Sequence, residues 1–234
     1  MVSGGLARAE HARERIDGPL SPAARRATQA DLDRLNAWFR GYALTLGRVR
    51  RVAAELAPGR PLVVVDVGGG RGHFAVRVVR WARRVGRPVR ALVCDTDTAT
   101  LADGRRRTAA YPEITFVCAD ATALPVRERA ADVVVAALTL HHLDPEAAVA
   151  CLAEMRAAAP LAVVNDLLRT RVSLALVWLA TRLLRLHPVS RHDGPVSVRR
   201  AYSPDELAVL AEKAGGRASI RRYPYLARVV AEIA

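Results

Sequence analysis

The chain has 234 residues, 51% of them hydrophobic, enough for one sizeable core or one core with a small cap. Its formal net charge is +13, carried almost wholly by arginine because Lys213 is the sole lysine. The charge is scattered, without an aromatic-interleaved basic stripe for stacking bases, so a specific nucleic-acid partner is not expected, although anionic substrates or lipid surfaces suit the balance.

In chain order, "MVSGGLARAEHARER" has no apolar core of signal-peptide length, and residues 1–29 read as a polar, mobile arm. From Asp31 to Leu56 the apolar residues Leu32, Leu35, Trp38, Phe39 and Tyr42 fall at helical spacing, with Gly41 a candidate break. Short valine-rich runs at 62–67, 89–94, 114–118, 132–138 and 161–165 read as strands buried on both faces. Helical segments near 72–86, 97–110 and 145–158 lie between them, the last capped by Asp144-Pro145. This alternation predicts right-handed crossovers and a doubly wound, mostly parallel α/β sheet.

After residue 166 the rhythm breaks. A helical insert is expected over 172–186, then a loop over "HPVSRHDGPVSVRRAY", then a helix with a Ser203/Glu206 capping box. Two closing strands around Tyr223-Pro224 complete a seven-stranded sheet. The insert is too short to span a membrane and carries Arg182 and Arg185, so a soluble, cytoplasmic protein is expected. Cys94, Cys118 and Cys151 have no metal-ligand spacing and read as reduced core residues; no metal set is read anywhere in the chain.

The stretch "DVGGGRGH" (66–73) carries the chemistry. It lacks the lysine and hydroxyl residue of a phosphate loop, and meets the dinucleotide pattern only loosely, as Gly70-x-Gly72-x-x-Ala75. Asp66 ahead of Gly68, Gly69, Gly70 and Gly72 places a carboxylate and bare backbone at the carboxyl end of the first strand, where open parallel sheets bind ligands. Asp95 ends the next strand, where a carboxylate accepts from ribose hydroxyls, and Asp120 follows the third, placed to accept from an exocyclic amine. Three acids and no phosphate-binding cation make an adenosine-sized site.

With "VVVDVGGGRGHFAVRVV", "LVCDTD", "FVCADATALPV" and "ADVVVAALTLHHL" in this order, residues 60–166 resemble the class I S-adenosylmethionine-dependent methyltransferases of the ubiquinone/menaquinone-biosynthesis type. The resemblance implies a Rossmann-like methyltransferase fold that binds S-adenosyl-L-methionine and releases S-adenosyl-L-homocysteine. It places Gly68, Gly70 and Gly72 around the methionine part, Asp95 at the ribose, Asp120 and Ala121 at adenine, and the backbone around Leu138 beneath the sulfonium, with Asp66, Gly69 and Thr96 completing the expected cofactor-binding set. The domain layout that follows is an arm over 1–29 and a single domain over 30–234. Within that domain lie a cap helix (30–57), the cofactor core (60–166), an insert with acceptor loop (167–202) and a C-terminal helix with strands (203–234).

For the methyl acceptor, His192 beside Asp193 is the first candidate base and His141 the second. Trp38, Phe39, Tyr42 and Trp178 are candidate acceptor contacts, with core packing the competing role. The amphipathic insert suits either a lid or a dock on a membrane surface. The nucleic-acid [D/N]-P-P-aromatic motif, the acids of metal-dependent O-methyltransferases and the paired-glutamate loop of arginine methyltransferases are missing where they belong. A small hydrophobic acceptor (polyketide, quinone precursor or lipid phenol) with O-methylation is therefore expected. The alternatives are an RNA or ribosomal-protein methyltransferase and a non-catalytic adenosyl-binding module.

Overall fold

The computed structural model describes residues 6–234, so the first five residues of the expected arm lie outside it. Seven strands form one sheet in the order β3-β2-β1-β4-β5-β7-β6. Five are mutually parallel, β1 (Leu62–Val67), β2 (Val89–Asp95), β3 (Ile114–Cys118), β4 (Val133–Ala137) and β5 (Ala162–Leu167). The last two, β6 (Ala218–Tyr223) and β7 (Arg228–Ile233), form an antiparallel hairpin, and β7 also runs antiparallel to β5. The chain order reverses between β1 and β4, which opens a crevice at their carboxyl ends.

As expected, β1, β4 and β5 are buried on both faces, whereas β2 and the edge strand β3 expose Arg90, Thr115 and Cys118. Val64, Val93, Val133 and Val135 face α2 (Gly41–Glu55) and α3 (His73–Arg84), through Val49, Phe74, Val78 and Val79. Val65, Val67, Val134 and Ala136 face α5 (Pro145–Ala158) and α8 (Pro204–Lys213), through Leu152, Met155 and Leu207. Each buried valine contributes about 1.5–3 kcal/mol by leaving water. Asp144 caps α5, and the Ser203/Glu206 capping box starts α8, as the sequence predicts. Between β2 and β3 runs α4 (Thr98–Arg107). Cys94 and Cys151 are buried, whereas Cys118, expected in the core, is exposed at the end of β3.

The cap departs most from expectation. Its first helix is two helices, α1 (Pro22–Trp38) and α2, separated at Arg40, which has φ +53°. Thus α1 starts nine residues before Asp31, within the stretch expected as an arm, with Ser21 as its cap and Pro22 in its first turn. Ahead of it, the Arg15 and Ile16 amides donate to the Asp193 carboxylate (2.9 Å each), which holds this stretch against the body of the protein. The insert folds as α6 (Arg171–Leu183).

The stretch expected as an acceptor loop is a helix, α7 (Pro188–Arg200), despite Gly194-Pro195 inside it. Packing overrides the local breaker. Val189 and Val198 are buried, and Gly194 lies against Val177 and Thr181 of α6, where a Cβ would come within 3.0 Å of Val177. Asp31 of α1 accepts from the His187 amide (2.7 Å) and the Ser190 hydroxyl (2.8 Å), which ties α1 to the start of α7. A third apolar cluster, including Leu35, Phe39, Leu167, Val177 and Val198, joins α1, α6 and α7 over the end of β5.

Candidate active site

A cleft of about 650 Å³ opens at the carboxyl ends of β1, β2 and β4, beneath α1. It is lined by Asp66, Gly68, Gly69, Gly70, Asp95, Thr96, Asp120, Ala121 and Leu138, so nine of the ten expected cofactor residues meet there although they follow four different strands. The glycine turn is held from below, because the Gly68 and Gly69 amides both donate to the Cys94 carbonyl (2.8 and 3.2 Å). Gly68 has φ +66°, and a Cβ there would fall 2.4 Å from the Thr139 hydroxyl, so only glycine lets β1 and the turn after β4 close together.

The tenth residue is corrected. Gly72 does not line the cleft; it precedes α3 with φ +73°, and a Cβ would meet Phe116 at 2.9 Å. It is a packing glycine that brings α3 onto β3.

Asp95 accepts from the Gly70 amide through Oδ2 (2.9 Å) and the Asp97 amide through Oδ1 (2.9 Å). Each carboxylate oxygen keeps a second lone pair with which it can accept from a ligand hydroxyl in the cleft that Asp95 lines. Asp120 is exposed and held by the Thr122 amide (2.8 Å) and hydroxyl (2.7 Å), which keep its carboxyl below the ordinary value. Asp66 is buried with Oδ2 unpartnered. Burial and the nearby Asp95 charge push it up to about 7. An orphaned buried acid under bare backbone suits a cationic ligand that brings its own donors.

Sequence reasoning missed the roof of the cleft, which comes from α1. Gln29 and Asp33 line it, and Asp33 accepts from Tyr42 (2.8 Å) and Arg71 (2.9 Å) and lies 2.8 Å from Nε2 of His73. Arg25 reaches Asp97 at 2.7 Å. Tyr42 therefore lies in this cleft, and His73 is paired at its rim. These contacts cross long sequence separations, and no local pattern marks them.

A second, more enclosed cavity of about 90 Å³ adjoins the cleft and shares Ile16, Leu32, Leu138 and His142 with it. Leu138 has φ +58°, costly for a branched residue by about 1–3 kcal/mol, and its amide is held by the Asn165 carbonyl (3.0 Å). Phe39, Leu35, Leu167 and Val177 make the cavity apolar. At its polar end stand Glu14 and His141.

His141 is buried, with Nδ1 2.7 Å from Asp166 Oδ1, while its amide donates to Oδ2 (3.1 Å). Burial raises the Asp166 carboxyl, but His141, the Leu167 amide and Arg228 outweigh it and hold the group below its ordinary value. An ionised Asp166 keeps the proton on Nδ1 and leaves the Nε2 lone pair toward Glu14. Glu14 is pushed up to about 7, by burial first and against the pull of His142. Arg200 clamps this turn, donating to the carbonyls of His141 (3.1 Å) and His142 (2.9 Å).

The other acceptor expectations separate. Phe39 lines the cavity, whereas Trp38 (59% exposed) and Trp178 (48% exposed) line neither site, and Trp178 stacks under Arg182 instead. His192 bonds Asp193 at 2.7 Å, as its position suggested, but its ring lines neither cavity. Asp193 does line the second cavity, with its carboxylate committed to the 15–16 backbone.

Among known proteins, residues 64–159 match the family model described as a methyltransferase domain. No curated protein sequence matches the chain. Among solved structures, a S-adenosylmethionine-dependent methyltransferase from Aquifex aeolicus is 16% identical over 79% of this chain and 87% of its own, with a TM-score of 0.56. A putative O-methyltransferase from Nostoc punctiforme is 15% identical over 97% of this chain and 64% of its own, with a TM-score of 0.64. An O-methyltransferase from neocarzinostatin biosynthesis, solved with S-adenosyl-L-homocysteine and 1,4-dihydroxy-2-naphthoic acid, is 19% identical over 73% of this chain and 48% of its own, with a TM-score of 0.52. Sheet order and solved neighbours agree on the Rossmann-like fold of these methyltransferases, within which residues 64–159 match the methyltransferase-domain model.

Proposed function

We propose that the protein transfers a methyl group from S-adenosylmethionine to an oxygen of a small, hydrophobic phenol or enol. The observation that carries this reading is the cavity that meets the cleft at Leu138, with apolar walls of Leu35, Phe39, Leu167 and Val177 and with Glu14 and His141 among its polar lining. When bound, S-adenosylmethionine supplies a methyl group already activated on a sulfonium. The chain's own task is to align the acceptor and keep water away, which can supply much of the acceleration. Asp95 and Asp120 hold the two ends of the adenosine, while Asp66 and the glycine turn receive the cationic part.

Phe39, Leu35 and Val177 seat the acceptor's apolar body beside Leu138. Its hydroxyl faces Glu14 and His141 and gives its proton to Nε2 of His141; His141, unlike His192, lines this cavity, which a catalytic group must do. The cavity admits the reacting end of an acceptor, and a long tail leaves through the open cleft. The solved O-methyltransferase with a bound dihydroxynaphthoic acid supports this substrate class. Among the described residues no helix is long and apolar enough to cross a membrane.

The test is incubation of the protein with S-adenosylmethionine and a panel of alkylated phenols, hydroxyquinones and enolic pyrones. The expected outcome is formation of S-adenosylhomocysteine matched by one added methyl on oxygen. Tight S-adenosylhomocysteine binding without turnover across the panel would leave the adenosyl-binding module as the reading. Methylation confined to RNA, with salt-dependent binding, would favour the nucleic-acid alternative.

A further inference from the structure

Both histidines of the turn after β4 are arranged in the same way. His141 has Asp166 on Nδ1 at 2.7 Å, and His142 has Asp17 on Nδ1 at 3.3 Å. Each then turns Nε2 toward the same carboxylate, at 3.6 Å from Glu14 Oε1 for His141 and 3.9 Å from Oε2 for His142. These separations are too long for hydrogen bonds. The shorter matches the spacing between two ligands of one cation, since bonds of about 2.0–2.2 Å at tetrahedral angles put neighbouring ligand atoms about 3.3–3.6 Å apart, and the longer exceeds it by a few tenths of an ångström.

Glu14 has a side chain only 3% exposed, and its Oε1 has no hydrogen-bond partner. Among the described residues the Glu14 carboxylate and the two Nε2 atoms converge on a shared space, and the Ser197 hydroxyl beside Glu14 is also held by the Asp193 carbonyl (3.0 Å). The ligand atoms of Glu14, His141 and His142 all lie within 4.8 Å of one another.

We propose that Glu14, His141 and His142 bind one divalent transition-metal ion of the zinc type, with Asp166 and Asp17 orienting the two imidazoles. Two imidazoles and one carboxylate are the donor set of open zinc sites, and a carboxylate behind each imidazole fixes the ring and raises its basicity. The remaining position faces the cavity shared by Leu138 and Phe39. An ion there lowers the proton affinity of an acceptor hydroxyl, which then loses its proton to water; this consequence rests on the acceptor reading above, whereas binding of the ion does not. The expectation of no metal set came from cysteine spacing, and Glu14 lies at the far end of the chain from the histidines.

The experiment is titration of the metal-stripped, full-length protein with Zn²⁺ by calorimetry, alongside the visible spectrum of the Co²⁺ form. One equivalent should bind, with the intense visible bands of a low-coordinate cobalt site. Glu14→Gln and His142→Ala should each weaken Zn²⁺ about 10–100-fold or more, and S-adenosylhomocysteine affinity, measured in the same samples, should stay unchanged in Glu14→Gln. No stoichiometric binding, or equal Zn²⁺ affinity in Glu14→Gln, would overturn the site and leave the His141 Nε2 lone pair as a metal-free proton acceptor. Normal Zn²⁺ binding together with absent S-adenosylhomocysteine binding would instead strike at the methyl-transfer reading and leave the metal site standing.

Discussion

Replacing Asp66 with asparagine should remove a large part of the protein's change in stability between about pH 4 and pH 8. The side chain is buried, its Oδ2 has no partner, and burial together with Asp95 raises its pKa from 3.8 to about 7. In the unfolded chain the group ionises near its ordinary value, while the folded protein holds the proton to about 7. Its contribution to stability is therefore fully present below the unfolded pKa and is lost as pH rises through the folded one. At about 1.4 kcal/mol per pKa unit, a displacement of roughly three units amounts to ~4 kcal/mol.

Asparagine cannot ionise, and any fixed cost of its buried amide cancels when the difference between the two proteins is followed across pH. Glu14, also raised to about 7, is present in both and cancels as well. Urea unfolding followed by circular dichroism at closely spaced pH values measures that difference. It should move by ~4 kcal/mol in favour of Asp66→Asn as pH rises from about 4 to about 8. Two parallel stability curves with a constant offset would refute the reasoning, because they would mean that Asp66 ionises equally readily in both states.

Three further outcomes are expected. Asp95→Ala removes the acceptor for the Gly70 and Asp97 amides as well as for a bound diol; two charge-assisted bonds at about 1.5–3 kcal/mol each lower S-adenosylhomocysteine affinity roughly 10²–10⁴-fold by calorimetry, and unchanged affinity would sink the ribose assignment. His192→Ala should keep turnover within about twofold of the parent, since its ring lines neither cavity; a loss beyond about tenfold would return it to the catalytic group. Asp193→Ala frees the Arg15 and Ile16 amides, so limited trypsin digestion at Arg13 and Arg15 should accelerate while the remainder of the domain stays resistant; equal cleavage rates would show that the carboxylate does not hold this segment.

Much of the cofactor side is local in sequence. Asp66 and the glycines sit directly after a valine run, and Asp95 and Asp120 each close or follow another, so strand periodicity alone delivers them to one edge of a parallel sheet. Gly72 shows the limit of that logic. Its spacing is that of a ligand-binding glycine, but the space it vacates is filled by the Phe116 ring, which belongs to a strand with no sequence link to the turn. Aromatic residues misled for a similar reason: Phe39 and Trp38 are adjacent, and which one is buried depends on where α1 ends against α6 and α7.

The acceptor side was barely legible. Gly194-Pro195 is a strong turn signal, yet burial of Val189 and Val198 and the close approach of α6 keep α7 helical. That helix carries Asp193 inward and leaves His192 at the surface. Glu14 belongs to a stretch with no periodicity, and it is brought to His141 by contacts that cross the chain, among them the two backbone amides bonded to Asp193, the Arg8 bond to the Leu143 carbonyl and the pairing of Asp17 with His142.

The sequence by itself therefore determined the sheet, the glycine turn and the adenosine-binding edge, because strand alternation and turn chemistry act over a few residues. Only the tertiary structure decided the roof of the cleft, the apolar cavity and the Glu14–His141–His142 group. Those depend on packing and on charge pairs between segments tens of residues apart, as Asp33 with Arg71, or more than a hundred, as Glu14 with His141, and no local pattern encodes such meetings.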